Sequence, residues 1–340
     1  MAIEQLTYVQ AISIGVLQGV TELFPVSSLG HSVLIPAWIG GSWAALVTQE
    51  SSSESPYLAF LVGLHVATAL ALLWYFRAEW ARIARGFVRS LRARRITDTD
   101  AKIAWLVILA TIPVGLIGLL AEHTLRTVFA KPVYASVFLA LNGLILLAGE
   151  RYRRREEKRA ASAAAPASAF AGRGGAAGDP VAPESGSDGS GPLPEGDPDE
   201  IASEIPRRTN EQGRAVGTLR PVEALGLGVA QSAALLAGIS RSGVTIVAGL
   251  VRGLTHEDAA RFAFLLATPV ILLAGVYKLP DLLGPNGDGV RGQILAGSLA
   301  AGVAAYLSVR FLDRWFQTRT LKPFAIYCLT AGVVSLLYFA

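Results

Sequence analysis

The sequence predicts an all-α integral membrane protein that crosses the membrane several times. Of its 340 residues, 52% are hydrophobic and only 16% are charged, whereas about a quarter of the residues of a soluble domain are usually charged. A membrane-spanning helix needs roughly 20 mostly apolar residues. Six segments meet this requirement and are predicted to be transmembrane helices: 57–76, 103–121, 133–149, 262–279, 293–312 and 324–340.

The distribution of basic residues predicts the orientation of these helices. Positive charge is concentrated in three segments beside predicted spans, at 77–102, 151–159 and 310–322. By the positive-inside rule these segments lie in the cytoplasm, which leaves both termini outside. Membrane orientation therefore explains the net charge of +4, and the sequence predicts no binding of nucleic acid.

Two further apolar segments, 8–37 and 222–250, are interrupted by glycine, proline and serine and are predicted to be re-entrant helical hairpins. Each half of the chain then has one hairpin and three spans, and an odd number of spans inverts the second half. This pattern predicts an inverted-topology repeat, whose interrupted helices meet near the bilayer midplane. An ungapped alignment supports the repeat with these identical pairs: Gln18 and Gln231, Ser27 and Ser240, Gly30 and Gly243.

The predicted domain organisation is two membrane repeats, residues 1–159 and 214–340, joined by the segment 160–213. This segment is rich in Ala, Gly, Ser, Pro and acidic residues, so it cannot bury enough apolar surface to fold. It is predicted to be a disordered cytoplasmic linker, with a partner-binding segment as the alternative. The single cysteine, Cys328, lies in the last predicted span and is interpreted as a small core residue.

Polar side chains at membrane depth are costly and are therefore candidate functional residues. Gln18 and Glu22 are four residues apart, on one face of a helix that Pro25 ends. A carboxylate and an amide oxygen suit a hard divalent cation, Mg²⁺ or Ca²⁺. The alternative is that Glu22 forms a buried ion pair with Arg241.

The loop after this helix contains hydroxyl groups and a histidine. Ser27 and Ser28, together with unpaired backbone N–H groups, could receive anionic oxygens at a helix end. His31 can take and give a proton near neutral pH and is the candidate general acid or base. The alternative is that His31 only hydrogen-bonds the loop. His65 lies in the first span and is interpreted as a packing or hydrogen-bonding residue.

Arg241 is the candidate phosphate ligand. A guanidinium at membrane depth needs a strong anionic partner, and its planar fork fits two phosphate oxygens. The alternative is an arginine that extends to the membrane surface. Three neighbouring hydroxyl donors complete this cluster: Ser240, Ser242 and Thr245.

These clusters resemble a known family. The strings ELFPVSSLGH, from Glu22 to His31, and GISRSGVT, from Gly238 to Thr245, are similar to the two signature regions of the bacterial undecaprenyl-diphosphate phosphatases, also called the bacitracin-resistance protein family. The resemblance implies an enzyme that removes the terminal phosphate from undecaprenyl diphosphate at the outer face of the bacterial cytoplasmic membrane. It would thereby recycle the cell-wall lipid carrier.

Carried over to this chain, the resemblance implies that the site consists of these residues: Glu22, Ser27, His31, Ser240, Arg241, Ser242 and Thr245. The chain departs from the family pattern in three places. Gln18 stands where the family often has Glu, which weakens the prediction of a metal site with two carboxylates. Ala237 replaces the usual proline before Gly238, and the linker is unusually long.

The attacking oxygen stays open at this point. Ser27, four residues before His31, would give a phosphoenzyme; the alternative is a water activated by His31 or Glu22. A lipid-phosphate flippase is the alternative function, because inverted repeats with broken helices are common in transporters. The expected partners are a polyprenyl diphosphate lipid and membrane lipid. A homodimer is compatible with the sequence, although no residue indicates one.

Overall fold

The computed structural model describes residues 6–50, 56–129, 131–164, 213–277 and 289–340. Over these ranges the secondary structure is helical, and the β-type pairing is a single isolated bridge between Arg214 and Leu254. The all-α fold class is therefore confirmed. Of the predicted linker, 160–213, residues 160–164 form the end of a helix, and residues 165–212 lie outside the described residues.

The helices are numbered in chain order. The first half contains α1 (Tyr8–Thr21), α2 (Ser28–Ile39), α3 (Gly41–Glu50), α4 (Pro56–Tyr75), α5 (Arg77–Ala93), α6 (Thr99–Phe129) and α7 (Pro132–Ala164). The second half contains α8 (Pro221–Gln231), α9 (Arg241–Val251), α10 (His256–Tyr277), α11 (Arg291–Trp315) and α12 (Lys322–Phe339). Two short 3₁₀ segments, Val216–Thr218 and Ser232–Leu235, precede and follow α8.

Five helices of the described ranges are long and apolar enough to cross a membrane: α6, α7, α10, α11 and α12. A sixth span is obtained if α4 and α5 are counted together, although Phe60–Tyr75 and Arg77–Ala93 meet at an angle of 83°. All six predicted spans thus fall on helices. The chain is a multi-pass helical membrane protein.

Two helices, α3 and α5, fall in segments where the sequence predicts only connections. Both lack the long apolar run that identifies a span. In α5 the buried residues recur at helical spacing, at Glu79, Ile83, Gly86 and Ser90. Such an amphipathic pattern indicates a helix that packs on one side only. A search for long apolar segments does not detect a helix of this kind.

The two interrupted segments have helix–break–helix structures with defined ends. Helix α1 begins with a capping box, in which Thr7 Oγ1 accepts from the Gln10 N–H and the Gln10 side chain accepts from the Thr7 N–H. It ends before Pro25, which has no N–H to continue the helix. The helices that follow the breaks, α2 and α9, are capped by Ser27 and Ser240.

Close helix packing holds the first helix of each interrupted segment. Helix α1 lies along α11, and α8 lies along α6. A side-chain carbon at Gly15 would meet the Gly297 carbonyl, and one at Gly228 would meet the Ala110 carbonyl. Glycine at these positions therefore lets the helix backbones approach, as is typical of helix pairs in membranes.

The chain divides into two compact units. The first comprises Met1–Arg153 and Gly213–Ala340 and holds every candidate site residue. The second comprises Arg154–Gln212, whose described part is the end of α7.

The contact at Gly15 gives a first testable prediction. Gly15→Leu should lower the free energy of unfolding by about 1–3 kcal/mol, because the added side chain overpacks the contact between α1 and α11. Val16→Leu is the matched control, since the neighbouring Val16 is 45% exposed. Thermal unfolding in detergent measures both. Equal melting temperatures for the two variants would contradict this close packing.

Candidate active site

Two serine-capped helix N-termini meet in the interior of the first unit. Ser27 Oγ accepts from the Gly238 N–H at 3.1 Å, and the Ser240 hydroxyl donates to the Phe24 carbonyl at 3.4 Å. The two loops are therefore bonded to each other. Helix N-termini carry unpaired N–H groups and partial positive charge, so their meeting point favours an anion.

The break before α2 has an unusual backbone. Ser27 has φ 72°, a value that is costly for a residue other than glycine. Its side chain offsets part of this cost, because Oγ also accepts from the Gly30 N–H at 3.2 Å. Gly238 has φ 111°, and a side chain there would collide with the backbone of α7 at Ala135. The first loop therefore needs the Ser27 hydroxyl to stabilise its backbone, and the second loop needs glycine at position 238.

Glu22 is the acidic centre of the site. Its side chain is 4% exposed and pairs with the Arg241 guanidinium, whose side chain is 17% exposed. The Gln18 amide donates to Glu22 Oε2 at 2.9 Å, and the Ser28 hydroxyl donates to the same oxygen at 2.5 Å. The structure therefore brings the two sequence clusters together, across 219 positions of the chain.

This donor set fits an ion pair better than a divalent cation. Both Glu22 oxygens already accept hydrogen bonds, and Gln18 turns a donor toward the carboxylate. A cation at Glu22 would have to displace Arg241. The described residues include no group of three His, Cys, Asp or Glu side chains that could hold a metal ion. Gln18 and Glu22, as they are bonded in this structure, therefore do not fit a divalent cation.

His31 is buried and bonded through both ring nitrogens. Nδ1 lies 2.7 Å from the Ser27 carbonyl oxygen, and Nε2 lies 2.7 Å from the Tyr327 hydroxyl. Because a carbonyl only accepts, Nδ1 carries the proton and Nε2 accepts from Tyr327. His31 thus contacts the backbone of Ser27 rather than its hydroxyl, as the turn of α2 dictates.

The hydroxyls of the second cluster have different partners. Ser242 donates to the Phe24 carbonyl at 3.2 Å, and its Oγ lies 3.1 Å from that of Ser240. Both serines therefore join the second loop to the first. Thr245 donates to the Arg241 carbonyl within its own helix, at 2.8 Å, so its hydroxyl stabilises the start of α9.

Three site residues were missed by the sequence interpretation, and each lies on a different helix. His65 of α4 is partly exposed, and its Nδ1 lies 2.8 Å from the Leu61 carbonyl oxygen, which agrees with its interpretation as a packing or hydrogen-bonding residue. Its Nε2 also lies 3.7 Å from Glu22 Oε2, which places it beside the site. Asn142 of α7 donates to the Pro25 carbonyl at 3.0 Å and accepts from the Ser240 N–H at 3.0 Å. Tyr327 is the partner of His31.

The two halves contribute unequally to the site. Gln231 aligns with Gln18 and is fully buried, but its amide has no hydrogen-bond partner among the described residues. The residue four positions on is Leu235, where the first half has Glu22. The carboxylate of the pair therefore comes from the first half and the guanidinium from the second.

Together, these features define a class: a multi-pass helical membrane protein with a buried, hydroxyl-rich site suited to an anionic oxygen group. A family model described as bacitracin resistance protein BacA matches residues 11–173 and 201–334. The chain belongs to this family, which confirms the resemblance of its two signature regions.

Named relatives match the chain over nearly its whole length. Undecaprenyl-diphosphatase 2 of Frankia alni is 57% identical, over 99% of each protein. Undecaprenyl-diphosphatase of Mycobacterium avium is 53% identical, over 99% of this chain and 98% of the relative. Undecaprenyl-diphosphatase of Granulibacter bethesdensis is 39% identical over the full length of both.

The buried pair predicts a strong energetic coupling. Arg241→Met alone should cost about 3–5 kcal/mol of stability, because it leaves the Glu22 carboxylate buried without its cation. The double variant Glu22→Leu/Arg241→Met should be more stable than Arg241→Met alone. Denaturant unfolding in detergent measures both. The exposed pair of Arg89 and Asp98 is the control, where Arg89→Met should cause no such loss.

Proposed function

We propose that this protein hydrolyses undecaprenyl diphosphate to undecaprenyl phosphate and inorganic phosphate. The observation that carries the proposal is the largely enclosed Arg241 guanidinium, which pairs with the buried Glu22 carboxylate beside two helix N-termini. Such a site can neutralise the charge of a phosphoryl group where water is excluded. The names of the full-length relatives support the same activity.

Binding of the substrate would exchange the partner of Arg241. The terminal phosphate is the stronger bidentate acceptor, so it would take the guanidinium from Glu22 and leave that carboxylate free. The Ser240 and Ser242 hydroxyls, which already lie at the meeting point of the loops, would turn to phosphate oxygens. The polyprenyl chain would remain among the apolar helices.

The geometry supports Ser28 as the attacking group more than Ser27. The Ser28 hydroxyl donates to Glu22, and a hydroxyl bonded to an oriented base is the usual arrangement of an activated nucleophile. Ser28 Oγ would attack the terminal phosphorus and give its proton to Glu22. The bond from phosphorus to the bridging oxygen would break, undecaprenyl phosphate would leave, and water would then hydrolyse the phosphoserine.

Ser27 would have a structural role and His31 a role in proton transfer. The Ser27 hydroxyl oxygen receives two backbone N–H groups, so it fixes the two loops, although direct attack by Ser27 is retained as the alternative. His31 and Tyr327 form a connected pair at the start of α2. This pair would move a proton to or from the reacting oxygens.

The inverted repeat and the orientation belong to the same proposal. Reciprocal packing supports the repeat, since α1 lies along α11 while α8, its counterpart, lies along α6, the counterpart of α11. The serine caps at Ser27 and Ser240 occupy corresponding positions as well. The active site would open to the outer face of the bacterial cytoplasmic membrane, with both termini outside, as the basic segments indicate.

Phosphate release from undecaprenyl diphosphate by the purified protein tests the activity. Arg241→Ala should lower kcat/KM by about 10²-fold or more, because the transition state loses its cation, and Arg241→Lys should restore only part of it. His31→Ala should also lose activity, whereas Thr245→Val should retain most of it. No release by folded wild-type protein would contradict the proposal and favour a lipid-phosphate flippase.

The serine variants identify the nucleophile. Ser28→Ala should abolish both turnover and the acid-stable phosphoserine trapped from substrate labelled with ³²P in its terminal phosphate. Ser27→Ala should lose activity only to the extent that the loop is loosened, and it should still form the labelled phosphoserine. Labelled phosphoserine in Ser28→Ala, with none in Ser27→Ala, would transfer the nucleophilic role to Ser27.

A divalent cation, Mg²⁺ or Ca²⁺, remains part of the proposal, as a counterion that accompanies the diphosphate. Addition of EDTA should then lower phosphate release, and excess Mg²⁺ or Ca²⁺ should restore it. The apparent cation affinity should be the same for wild type and Gln18→Leu, whose side chain would not bind the ion. A large loss of cation affinity in Gln18→Leu would instead support a metal site at Gln18 and Glu22.

A further inference from the structure

Helix α5 carries a surface that the proposed hydrolysis does not use. The chain bends by 83° between Phe60–Tyr75 of α4 and Arg77–Ala93. Since α4 is apolar over its length and runs with the membrane-crossing helices α10 and α11, a helix nearly perpendicular to it lies roughly in the plane of the membrane.

One side of α5 is fixed to the rest of the protein. Its Ser90 hydroxyl accepts from the Trp105 indole N–H at 3.0 Å, and its Glu79 carboxylate accepts from Arg261 at 2.9 Å. A side-chain carbon at Gly86 would touch the backbone at Ala101. The position of α5 is therefore set by α6 and α10.

The remaining surface of α5 has two stripes. Val88 is 44% exposed and Leu91 is 51% exposed, and together with two alanines they form an apolar stripe at helical spacing. The second stripe is basic and runs alongside the first, because each of its residues directly follows a residue of the apolar stripe. The apolar stripe contains Ala81, Ala84, Val88 and Leu91, and the basic stripe contains Arg82, Arg85, Arg89 and Arg92, all of them exposed.

We propose that α5 lies in the membrane interface and that its basic stripe binds the headgroups of acidic phospholipids. A helix that presents an apolar stripe beside a row of arginines places the first among acyl chains and the second at headgroup phosphates. Acidic lipids attract such basic segments. Trp74 is exposed just before α5, and the Arg77 guanidinium carbon lies 5.0 Å from the centre of its ring. Tryptophan is enriched at the membrane interface, where α5 is proposed to lie.

Three of the four arginines in the basic stripe are available to bind lipid phosphates. Arg89 donates to Asp98 at 2.9 Å. The Ala101 N–H, the Thr97 hydroxyl and Arg89 itself lower the pKa of Asp98 to about 2, so Asp98 is charged at neutral pH and keeps Arg89 engaged. Arg82, Arg85 and Arg92 have no acidic partner among the described residues.

The chain offers a matched control on α7. Arg151, Arg154 and Arg155 are exposed as well, but they lie on an unbroken helix that continues from the span. Apart from Tyr152, residues 150–159 of α7 contain no apolar residue, so the number of arginines is matched while the apolar stripe is missing.

Melting temperatures of the full chain in nanodiscs test the lipid preference. Replacing phosphatidylcholine by a mixture with phosphatidylglycerol should raise the melting temperature of the wild type by at least about 2 °C. The variant R82Q/R85Q/R92Q should lose this shift, and R151Q/R154Q/R155Q should keep it. An undiminished shift in R82Q/R85Q/R92Q, or an equal loss in both variants, would overturn the assignment to α5.

A depth measurement tests the placement independently. The single native cysteine, Cys328, is buried, so a spin label attaches selectively to an introduced cysteine. In Val88→Cys the label should be accessible to oxygen dissolved in the bilayer, and in Arg85→Cys it should be accessible to a water-soluble nickel complex. Exposure of both labels to the nickel complex alone would place α5 in water and overturn the proposal.

Discussion

The ion pair between Glu22 and Arg241 is the constraint on which the rest of the site depends. Either charge alone would be costly in the interior of a membrane protein, because burial disfavours an ion without a partner. Each residue therefore fixes the other, and with it the loop that carries it. Gln18 and Ser28 satisfy the remaining acceptor capacity of the carboxylate, which leaves a site that is electrically balanced before substrate arrives.

The convergence of two broken helices explains how the site can be built among apolar helices. A helix break exposes backbone N–H and carbonyl groups, which need partners inside the protein. Ser27 and Ser240 provide them by bonds from one loop to the other, and Asn142 of α7 bonds to both loops. The same arrangement leaves two helix N-termini directed at one point, so the requirement for backbone satisfaction and the requirement for an anion site are met by the same atoms.

Hydropathy was sufficient to predict the membrane-crossing helices, since length and apolar content decide whether a segment can span the bilayer. The sequence also identifies the candidate residues, because polar side chains in apolar segments are few. It does not identify the residues that they contact. The ion pair of Glu22 with Arg241 was only an alternative, and His65, Asn142 and Tyr327 come from three other helices whose approach depends on tertiary packing. Helix α5 was missed because its apolar stripe is too narrow to signal a span.

The central claim is that a phosphate takes Arg241 from Glu22. The most direct measurement is a structure of the protein with a non-hydrolysable analogue of undecaprenyl diphosphate, in which a methylene group replaces the bridging oxygen. The account predicts that Arg241 contacts the terminal phosphonate between the starts of α2 and α9, while Glu22 keeps its bond to Ser28. An analogue bound elsewhere, with Arg241 still paired to Glu22, would contradict the account.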